Sequence, residues 1–287
     1  MKTVVTHIGP DLDAITSIWL VKTFFSGWEE AAVAFVPAGT TLRRFAPQGK
    51  PSQVQGDPDG DPEVWHVDTG FGAFDHHQSD ADTCAAALVY EVIKKERGAD
   101  GALERLVAVV NDVDHFREVF YPNPTADFWE FGLVAQIDGW RLIFSENPIK
   151  IVELGMQALD GIYKVLQNKI WAEKEIKENG IAFDTKWGKG IGVATVNDEV
   201  VHLAQKMGYV VAVRKDPKKG YIRIKTLPKQ EIDLKSVYEK LKADEPDATW
   251  YLHASHHMVL NGSSKNPDMK PTKRNLEEII EVIKQYE

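Results

Sequence analysis

Four short stretches in the first 115 residues contain most of the side chains that could do chemistry. Each of them carries imidazole or carboxylate groups, and none carries a thiol. In chain order they are residues 7–14 (HIGPDLDA), 67–70 (VDTG), 74–78 (FDHHQ) and 111–115 (NDVDH). Imidazole nitrogens and carboxylate oxygens suit Mn, Fe, Zn or Mg, whereas thiolates favour softer metals. These residue types therefore predict a site for a divalent metal.

The first stretch could supply ligands to two neighbouring positions. His7 and Asp11 lie four residues apart across a Gly-Pro turn, so both side chains can face one point. Asp13, two residues further on, can point to an adjacent position. An aspartate in such a loop is more often a helix cap, and Asp13 could simply cap a helix that begins at Ala14.

A carboxylate from another stretch could join the two positions. Asp68 could bridge two ions about 3.5–4 Å apart, the separation that two-metal phosphoryl-transfer sites use. Four clustered carboxylates would repel one another without metal, and two divalent cations would neutralise them. The four are Asp11, Asp13, Asp68 and Asp112. Asp114 could take the place of Asp112 if the chain is extended there rather than helical.

The elements that carry these stretches predict where the stretches meet. Apolar or β-branched runs predict buried strands at residues 2–6, 31–36 and 64–68. Helix patterns lie at residues 14–25, 83–97 and 101–112. Strands that alternate with helices predict crossover connections and a mainly parallel sheet. Ligands of such a sheet bind beyond the carboxyl ends of its strands, where the first two stretches would converge.

The pattern changes near residue 180, which predicts a second domain. Before this point, residues 127–179 are mostly helical in pattern and rich in aromatic side chains. We interpret these aromatics as core rather than as a base-stacking platform; they are Phe128, Trp129, Phe131 and Trp140. Beyond this point, strand patterns lie at residues 190–196, 209–215, 221–227 and 250–253. Helix patterns lie at residues 233–242 and 273–285.

We predict an α/β chain in three parts. A metal-binding catalytic domain with a mainly parallel sheet spans 1–150, a helical linker spans 151–183, and a smaller α/β domain spans 184–287. Charge is shared unevenly along the chain. Residues 1–150 carry 12 basic and 23 acidic side chains, whereas residues 184–242 carry 13 basic and 7 acidic ones. Such a basic run is usually a solvated face, but an anionic ligand would find attraction there.

The overall composition excludes several classes of protein. The chain has 287 residues, 43% of them apolar, a formal net charge of −9 and one cysteine. A largely disordered chain is excluded by the apolar content, and an internal disulfide or a Cys-based zinc site by the single cysteine. The acidic balance argues against general binding of duplex DNA. No stretch has the apolar length of a secretory signal or a membrane span, so a cytoplasmic protein is expected.

The N-terminal motifs resemble those of the DHH phosphoesterase superfamily, which is named for its Asp-His-His motif. HIGPDLDAITS is similar to the family pattern H-x-x-P-D-x-D-A-x-x-S, and FDHHQ contains the signature. The resemblance implies two metal ions, normally manganese, that share one aspartate. It assigns one ion to His7, Asp11 and Asp68, and the other to Asp13, Asp68, His76 and Asp112. It also implies that His77 lies beside the substrate phosphate and that Asp75 orients a histidine.

The C-terminal part resembles the DHHA1-like substrate-binding domain of this superfamily more weakly. That domain carries a G-G-G-H run followed by small residues and a glycine. Here Ala254, Ser255 and His256 replace the three glycines, and this loss can weaken phosphate binding by the backbone. The resemblance still implies substrate contacts from the residues that follow, which are His257, Asn261, Gly262 and Ser263, with Ser264 extending the loop.

We therefore expect a manganese-dependent two-metal phosphoesterase, in which Mg²⁺ or another divalent metal could replace manganese. The expected substrates are small phosphoesters, namely short single-stranded RNA or DNA, nucleoside bisphosphates or cyclic dinucleotides. Neither a long duplex nor a membrane is expected as a partner. Arg43 and Arg44 could reach a phosphate, although a basic pair in a loop is usually solvated. Two alternatives stay open: an inorganic pyrophosphatase or exopolyphosphatase, and a non-catalytic sensor of a phosphorylated ligand that retains the metal site.

Overall fold

The computed structural model describes residues 1–42, 56–263, 265–266 and 268–287. Arg43, Arg44 and Ser264 lie outside the described residues. The chain forms two compact units, an N-terminal unit (Met1–Gln167) and a C-terminal unit (Asn168–Glu287). The division falls inside one long helix, in the stretch that the sequence predicts as a helical linker.

A parallel three-stranded sheet forms the centre of the N-terminal unit. Strand β1 (Thr3–His7) lies between β2 (Ala32–Val36) and β3 (Val64–His66), and both pairings are parallel. Val4 and Val5 point to opposite faces of β1 and are both fully buried. The sheet is therefore covered on both sides, which explains the continuous apolar runs in the sequence and confirms the prediction of a parallel sheet.

Helices surround this sheet. The long ones are α1 (Leu12–Phe24), α2 (Ala85–Arg97), α3 (Gly101–Asp114), α4 (Leu133–Ile143) and α5 (Pro148–Asn179). Two 3₁₀ helices, Arg117–Phe120 and Asp127–Phe131, connect α3 to α4. The aromatic residues expected to be core here divide into three groups. Phe128 and Phe131 are exposed, Trp129 is half-buried, and Trp140 packs against the core.

Helix α1 is the most buried helix of the N-terminal unit. All residues from Leu12 to Val21 are buried, and α1 packs against α2, α3 and α4. Its one buried indole N–H, on Trp19, donates to Asp160 of α5 at 2.9 Å. Gly155 of α5 lies so close to α1 that an added Cβ would stand 2.7 Å from Ile15. This packing fixes the start of α1, where two of the predicted ligands lie.

A six-stranded mixed sheet forms the C-terminal unit, in the order β4-β5-β6-β7-β9-β8. Its strands are β4 (Ile181–Thr185), β5 (Gly188–Ala194), β6 (Val211–Lys215), β7 (Ile222–Thr226), β8 (Trp250–Leu252) and β9 (Met258–Asn261). Only β5 and β6 pair in parallel. The helices are α6 (Glu199–Lys206), α7 (Lys235–Asp244) and α8 (Leu276–Tyr286). The sequence predicts the β6–β7 hairpin correctly, but it misses β4, α6 and β9.

The described residues thus form an α/β protein with one parallel and one mixed sheet, which confirms the predicted fold class. Among the helices of this part of the chain, none is long and apolar enough to cross a membrane.

Candidate metal centre

The predicted chemical stretches meet at the carboxyl edge of the parallel sheet. His7 is the last residue of β1, and Asp68 follows the end of β3 by two residues. A backbone hydrogen bond of 2.9 Å from the Asp68 N–H to the Phe74 carbonyl ties the VDTG stretch to the FDHHQ stretch. The topology therefore brings together ligands that are more than sixty residues apart in the chain.

Asp68 lies at the centre of this group. Its side chain is 3% exposed, and its backbone is left-handed, with φ at 54°. A non-glycine residue in this conformation is strained, and such strain is concentrated at functional sites. The Oδ2 atom is 3.1 Å from Nε2 of His7, whereas Oδ1 faces the other way, 3.6 Å from Nε2 of His76. The two oxygens of one carboxylate thus face two different imidazoles.

One potential metal position is formed by His7, Asp11 and Asp68. Nε2 of His7 lies 3.7 Å from Oδ2 of Asp11 as well as 3.1 Å from Asp68, and the three ligand atoms are within 4.8 Å of one another. Ligands that share an ion at about 2.0–2.2 Å stand about 3 Å apart when adjacent. These separations are therefore close to those of a metal site.

A second potential position is formed by Asp13, His76 and Asp114. Nε2 of His76 lies 3.9 Å from Oδ2 of Asp13 and 3.5 Å from Oδ2 of Asp114. Nε2 of His76 and Oδ1 of Asp68 are both buried and have no hydrogen-bond partner among the described residues. Buried polar atoms are normally paired, and a cation bound between these two atoms, which lie 3.6 Å apart, would complete both.

Asp112, which the resemblance assigns as the last ligand, does not face this group. Its carboxylate lies 3.4 Å from Nη1 of Arg117 and 3.4 Å from the hydroxyl of Tyr121. Helix α3 continues through Asp114, and residues two apart on a helix point about 200° apart. Only one of the two aspartates can therefore face the cluster. The sequence does contain the deciding signal, because Asp114 stands four residues after the buried Val110 and shares its face.

Asp11 and Asp13 have structural contacts as well. Asp11 caps α1, because its Oδ1 accepts the N–H of Ala14 at 3.0 Å, so this cap does not belong to Asp13. Asp13 instead reaches the start of α2, where its two oxygens accept the N–H groups of Ala85 and Ala86 at 2.7 and 2.8 Å. A helix N-terminus stabilises a carboxylate, and this contact fixes the orientation of Asp13 towards His76.

The second histidine of the DHH motif is held differently from the first. Oδ1 of the buried Asp75 lies 2.7 Å from Nδ1 of His77 and also accepts the His77 backbone N–H at 3.1 Å. Oδ2 of Asp75 accepts the N–H of Phe71 at 2.7 Å. Asp75 therefore fixes the ring of His77, whose Nδ1 atom also lies 3.7 Å from Oδ1 of Asp68. The imidazole of His77 is 56% exposed and borders a cavity.

The charges of this His/Asp cluster (His7, Asp11, Asp13, Asp68, His76 and Asp114) shift several pKa values. Burial alone would lower the pKa of His7, but the hydrogen bond with Asp68 and the charge of Asp11 raise it to about 9. The Asp68 carboxylate raises the pKa of His76 to about 9 against the effect of burial. Burial opposes ionisation of Asp68, yet the same two histidines hold its pKa below its usual value.

Burial has the opposite outcome at two other carboxylates of the cluster, Asp13 and Asp114. Burial and the Asp68 charge raise the pKa of Asp13 well above its usual range. Burial also raises the pKa of Asp114, although the charge of His76 partly opposes this effect. Concentrated negative charge is thus costly here, and a bound cation would relieve it.

A cavity of 720 Å³ opens beside the cluster within the N-terminal unit. It is bordered by Asp13, His76, His77 and Asp114 and also by Glu118 and Arg141. Glu118 and Arg141 belong to no motif, so nothing in the sequence alone indicates them. Arg141 comes from α4, and its Nη2 donates to the Gly9 carbonyl at 3.1 Å.

Most of the predicted substrate residues of the C-terminal unit make hydrogen bonds or packing contacts within that unit. Asn261 is fully buried; its amide donates to the carbonyls of Thr249 and Lys270, and its oxygen accepts the Thr272 N–H. Both polar atoms of the Asn261 side chain therefore have partners within the protein, and its substrate contact stays a prediction.

The loop around Asn261 has structural roles too. Gly262 has φ at 86°, and a Cβ there would overlap the ring of Tyr221. The hydroxyl of Ser263 accepts the Lys265 N–H at 3.0 Å. Nδ1 of His257 lies 3.3 Å from the hydroxyl of Thr226. Of these residues, only His257 retains a polar side-chain atom with no described contact.

Comparisons with known proteins give structural neighbours at low identity. No protein-family model and no curated protein sequence matches the chain. A DHH domain from a member of a family of ribosomal proteins aligns over 99% of this chain and 86% of that chain, at 11% identity and a TM-score of 0.33. The pGpG-specific phosphodiesterase PggH from Vibrio cholerae aligns over 98% of each chain, at 14% identity and a TM-score of 0.28.

RecJ from Thermus thermophilus, solved in complex with Mg²⁺, aligns over 99% of this chain and 49% of its own, at 12% identity and a TM-score of 0.32. One of these structures is thus itself named as a DHH domain, the family that the motifs resemble. The superpositions are loose, so the chemistry of the site rests on the side chains of this chain.

Proposed function

We propose that this chain is a DHH-superfamily phosphoesterase that hydrolyses a small phosphoester with the help of two divalent metal ions. The observation that carries the proposal is the arrangement around Asp68. Its two oxygens face His7 and His76, and each histidine has further carboxylate partners of its own. A buried carboxylate between two such groups is the arrangement that two-metal hydrolases use.

The residues present fit a pair of divalent cations. Asp68 Oδ1 and His76 Nε2 are buried, lie 3.6 Å apart and make no hydrogen bond in the described part of the chain, and the pKa values of Asp13 and Asp114 are raised where negative charge accumulates. His7, Asp11 and Asp68 would hold one ion, and Asp13, Asp68, His76 and Asp114 the other. The nitrogen and oxygen ligands suit manganese, which we propose as the natural metal. Bound ions of this kind activate water for attack on phosphorus and stabilise charge on phosphoryl oxygens.

The residues around the cavity would bind and orient the phosphate. Because Asp75 holds Nδ1 of His77, the Nε2 atom is left available to a phosphoryl oxygen. Arg141 is the only lysine or arginine among the described residues that line the cavity, and its Nε is buried without a hydrogen-bond partner there. A guanidinium suits phosphate oxygens because its N–H groups form a planar fork. We therefore infer that His77 and Arg141 contact the phosphate.

The proposed substrates are small, as the sequence predicts: short single-stranded RNA or DNA, nucleoside bisphosphates or cyclic dinucleotides. The acidic N-terminal unit supports this proposal, because a long polyanion would meet repulsion outside the metal-binding edge. Both the restriction to small ligands and a cytoplasmic location stay predictions.

Replacement of the shared carboxylate tests the proposal. Asp68→Ala is compared with wild type on a panel of pyrophosphate, polyphosphate, short dinucleotides and nucleoside bisphosphates, assayed with Mn²⁺. We expect a loss of more than about 100-fold, because changes to the partners of metal ligands alone typically cost about 10–100-fold. Equal hydrolysis by the two proteins would eliminate the two-metal proposal.

A specific observation supports an inorganic pyrophosphatase as the second candidate function. Asn261, Gly262 and Ser263 have contacts within the C-terminal unit, which argues against their use as an oligonucleotide site. Pyrophosphate, being compact, would need only the metal-binding edge of the N-terminal unit. Rapid orthophosphate release from pyrophosphate alone would establish this alternative. A sensor would show no turnover above an Asp11→Ala control on any member of the panel.

A further inference from the structure

A second pocket of 470 Å³ adjoins the cluster cavity inside the N-terminal unit. The two share a wall that includes Leu12, Val110, Val113 and Val134. The second pocket is mainly apolar, with Leu106, Leu133 and Leu159 among its lining residues, and we call it the apolar pocket. Its volume lies within the range of about 300–1,000 Å³ that small-molecule sites have. One ligand could therefore occupy both spaces.

Two aromatic rings line the apolar pocket. Tyr121 and Trp129 stand with their ring centroids 5.5 Å apart and their planes tilted by 38°. The indole N–H of Trp129 donates to the Asn123 carbonyl at 3.0 Å, which holds the ring in place. Trp129 is half-buried, whereas its neighbour Phe131 on the same 3₁₀ helix is 82% exposed and does not line the pocket. A fixed and partly open indole offers a stacking surface to a flat ligand.

Glu118 stands where the two spaces meet, because it lines both of them. Its Oε2 atom is buried and has no hydrogen-bond partner among the described residues. A buried carboxylate oxygen accepts hydrogen bonds and loses stability without them. A ligand that completes this site would therefore bring N–H or O–H donors to the junction.

We propose that the apolar pocket binds an aromatic heterocyclic base of the substrate, which stacks on Trp129 and Tyr121 and donates N–H groups to Glu118. The proposal rests on the proposed function, because the phosphate of the same molecule would occupy the cluster cavity. Guanine fits best among the common bases, since it presents two adjacent N–H donors on one edge. Uracil presents one donor between two carbonyls, which a carboxylate repels.

Equilibrium binding of nucleoside monophosphates to the full chain with Mn²⁺ tests this proposal. Calorimetric titrations compare GMP, AMP, UMP and the base-free ribose 5-phosphate. We expect GMP to bind about 100-fold more tightly than ribose 5-phosphate, with about tenfold from the stacked base and about tenfold from the hydrogen bonds to Glu118. Trp129→Ala should remove the stacking part of this difference, and Trp129→Phe should retain some of that part. Phe131→Ala, a change at the exposed neighbour, should leave it intact.

Glu118→Gln tests the polar part of the proposal. It should weaken GMP binding about tenfold, as expected for the loss of a hydrogen bond to a charged group, and leave ribose 5-phosphate unchanged. Equal binding of GMP and ribose 5-phosphate by wild type would overturn the proposal. So would equal effects of Trp129→Ala and Phe131→Ala on GMP, or an unchanged GMP affinity in Glu118→Gln.

These outcomes are separable from a failure of the proposed function. In one case wild type hydrolyses the phosphoester panel, Asp68→Ala does not, and GMP and ribose 5-phosphate bind wild type equally tightly. The pocket assignment is then wrong, and the phosphoesterase proposal is retained. If GMP binds through Trp129 and Glu118 while no phosphoester is hydrolysed, the pocket assignment stands and the phosphoesterase is wrong.

Discussion

At the scale of single residues, the site depends on which oxygen of Asp68 faces which imidazole. Oδ2 is hydrogen-bonded to His7, and Oδ1 is buried without a partner among the described residues, opposite His76. The left-handed backbone of Asp68 turns its side chain into this position. A strained backbone is retained when the surrounding structure fixes it, and here the bond from the Asp68 N–H to Phe74 does so.

Exchange of single carboxylates on α3 tests the choice between Asp114 and Asp112. Asp114→Asn should weaken binding of Mn²⁺ and lower turnover at least about 10-fold, which is the lower end for loss of a group that supports a metal. Asp112→Asn should change both by less than about threefold, because an exposed ion pair contributes little. Titration of Mn²⁺ and the hydrolysis assay measure the two effects. The assignment of Asp114 would be contradicted if Asp112→Asn lost more Mn²⁺ affinity and turnover than Asp114→Asn.

At the scale of elements, hydrogen bonds at the starts of α1, α2 and α3 hold the cluster in position. Asp11 caps α1, Asp13 caps α2, and Asp100 caps α3 by accepting the N–H groups of Ala102 and Leu103. Asp100 is also bonded to Tyr163 of α5, so the helix that carries Asp114 is fixed to its neighbour.

Removal of the Tyr163 hydroxyl should loosen this attachment. The hydroxyl donates to Asp100 Oδ2 at 2.5 Å, and burial followed by this bond raises the pKa of Tyr163 to about 12. Tyr163→Phe should lower the free energy of unfolding by about 1 kcal/mol at pH 7, with little effect on Mn²⁺ affinity. Urea unfolding measures this loss.

The pH dependence of the same contact has a definite sign. The folded-state pKa of Tyr163 is raised above its ordinary value, so its stabilising effect is complete below about pH 10 and is lost as pH rises through about 12. Wild type should therefore lose more stability than Tyr163→Phe between about pH 10 and about pH 12. If the free energy of unfolding fell equally in the two proteins over this pH range, the Tyr163 hydroxyl would make no such contribution.

The β9 strand and the loop after it should behave as structure rather than as a substrate site. Gly262→Ala places a methyl group against Tyr221 and requires a left-handed alanine, so we expect a loss of about 1–3 kcal/mol in unfolding free energy. Its KM for the preferred substrate should stay within about twofold of wild type. Ser263→Ala is the matched control on the same loop and should be close to neutral. A raised KM in Gly262→Ala with normal stability would restore the predicted phosphate contact.

At the scale of the whole molecule, the sequence predicts ligands at strand ends better than ligands on helices. His7 ends β1 and Asp68 follows β3, so the rule for parallel sheets is sufficient to bring them together. It is not sufficient for Asp114, whose direction depends on the rotation of α3 about its axis. Nor does it reach Glu118 and Arg141, because only the packing of α3, α4 and the intervening 3₁₀ helices brings them to the cavity.

The C-terminal unit was harder to predict for a different physical reason. Asn261 and Gly262 resemble ligand-binding residues in type, but their side-chain roles are determined by strand pairing and by contacts across turns. Part of the positive charge of residues 184–242 is also engaged in ion pairs inside this unit. Arg214 and Arg223 both pair with Asp198, each at 2.6 Å. Neither of these ion pairs can be deduced from a count of charges along the sequence.

The number of metal ions bound per chain tests the central claim most directly. Purified protein is freed of metal, titrated with Mn²⁺ in a calorimeter and analysed for bound manganese, with Asp68→Ala in parallel. The proposed sharing of Asp68 between two ions predicts two ions per wild-type chain and a marked weakening of both binding events in the variant. A single bound ion in wild type, or two ions bound with unchanged affinity by Asp68→Ala, would contradict the account.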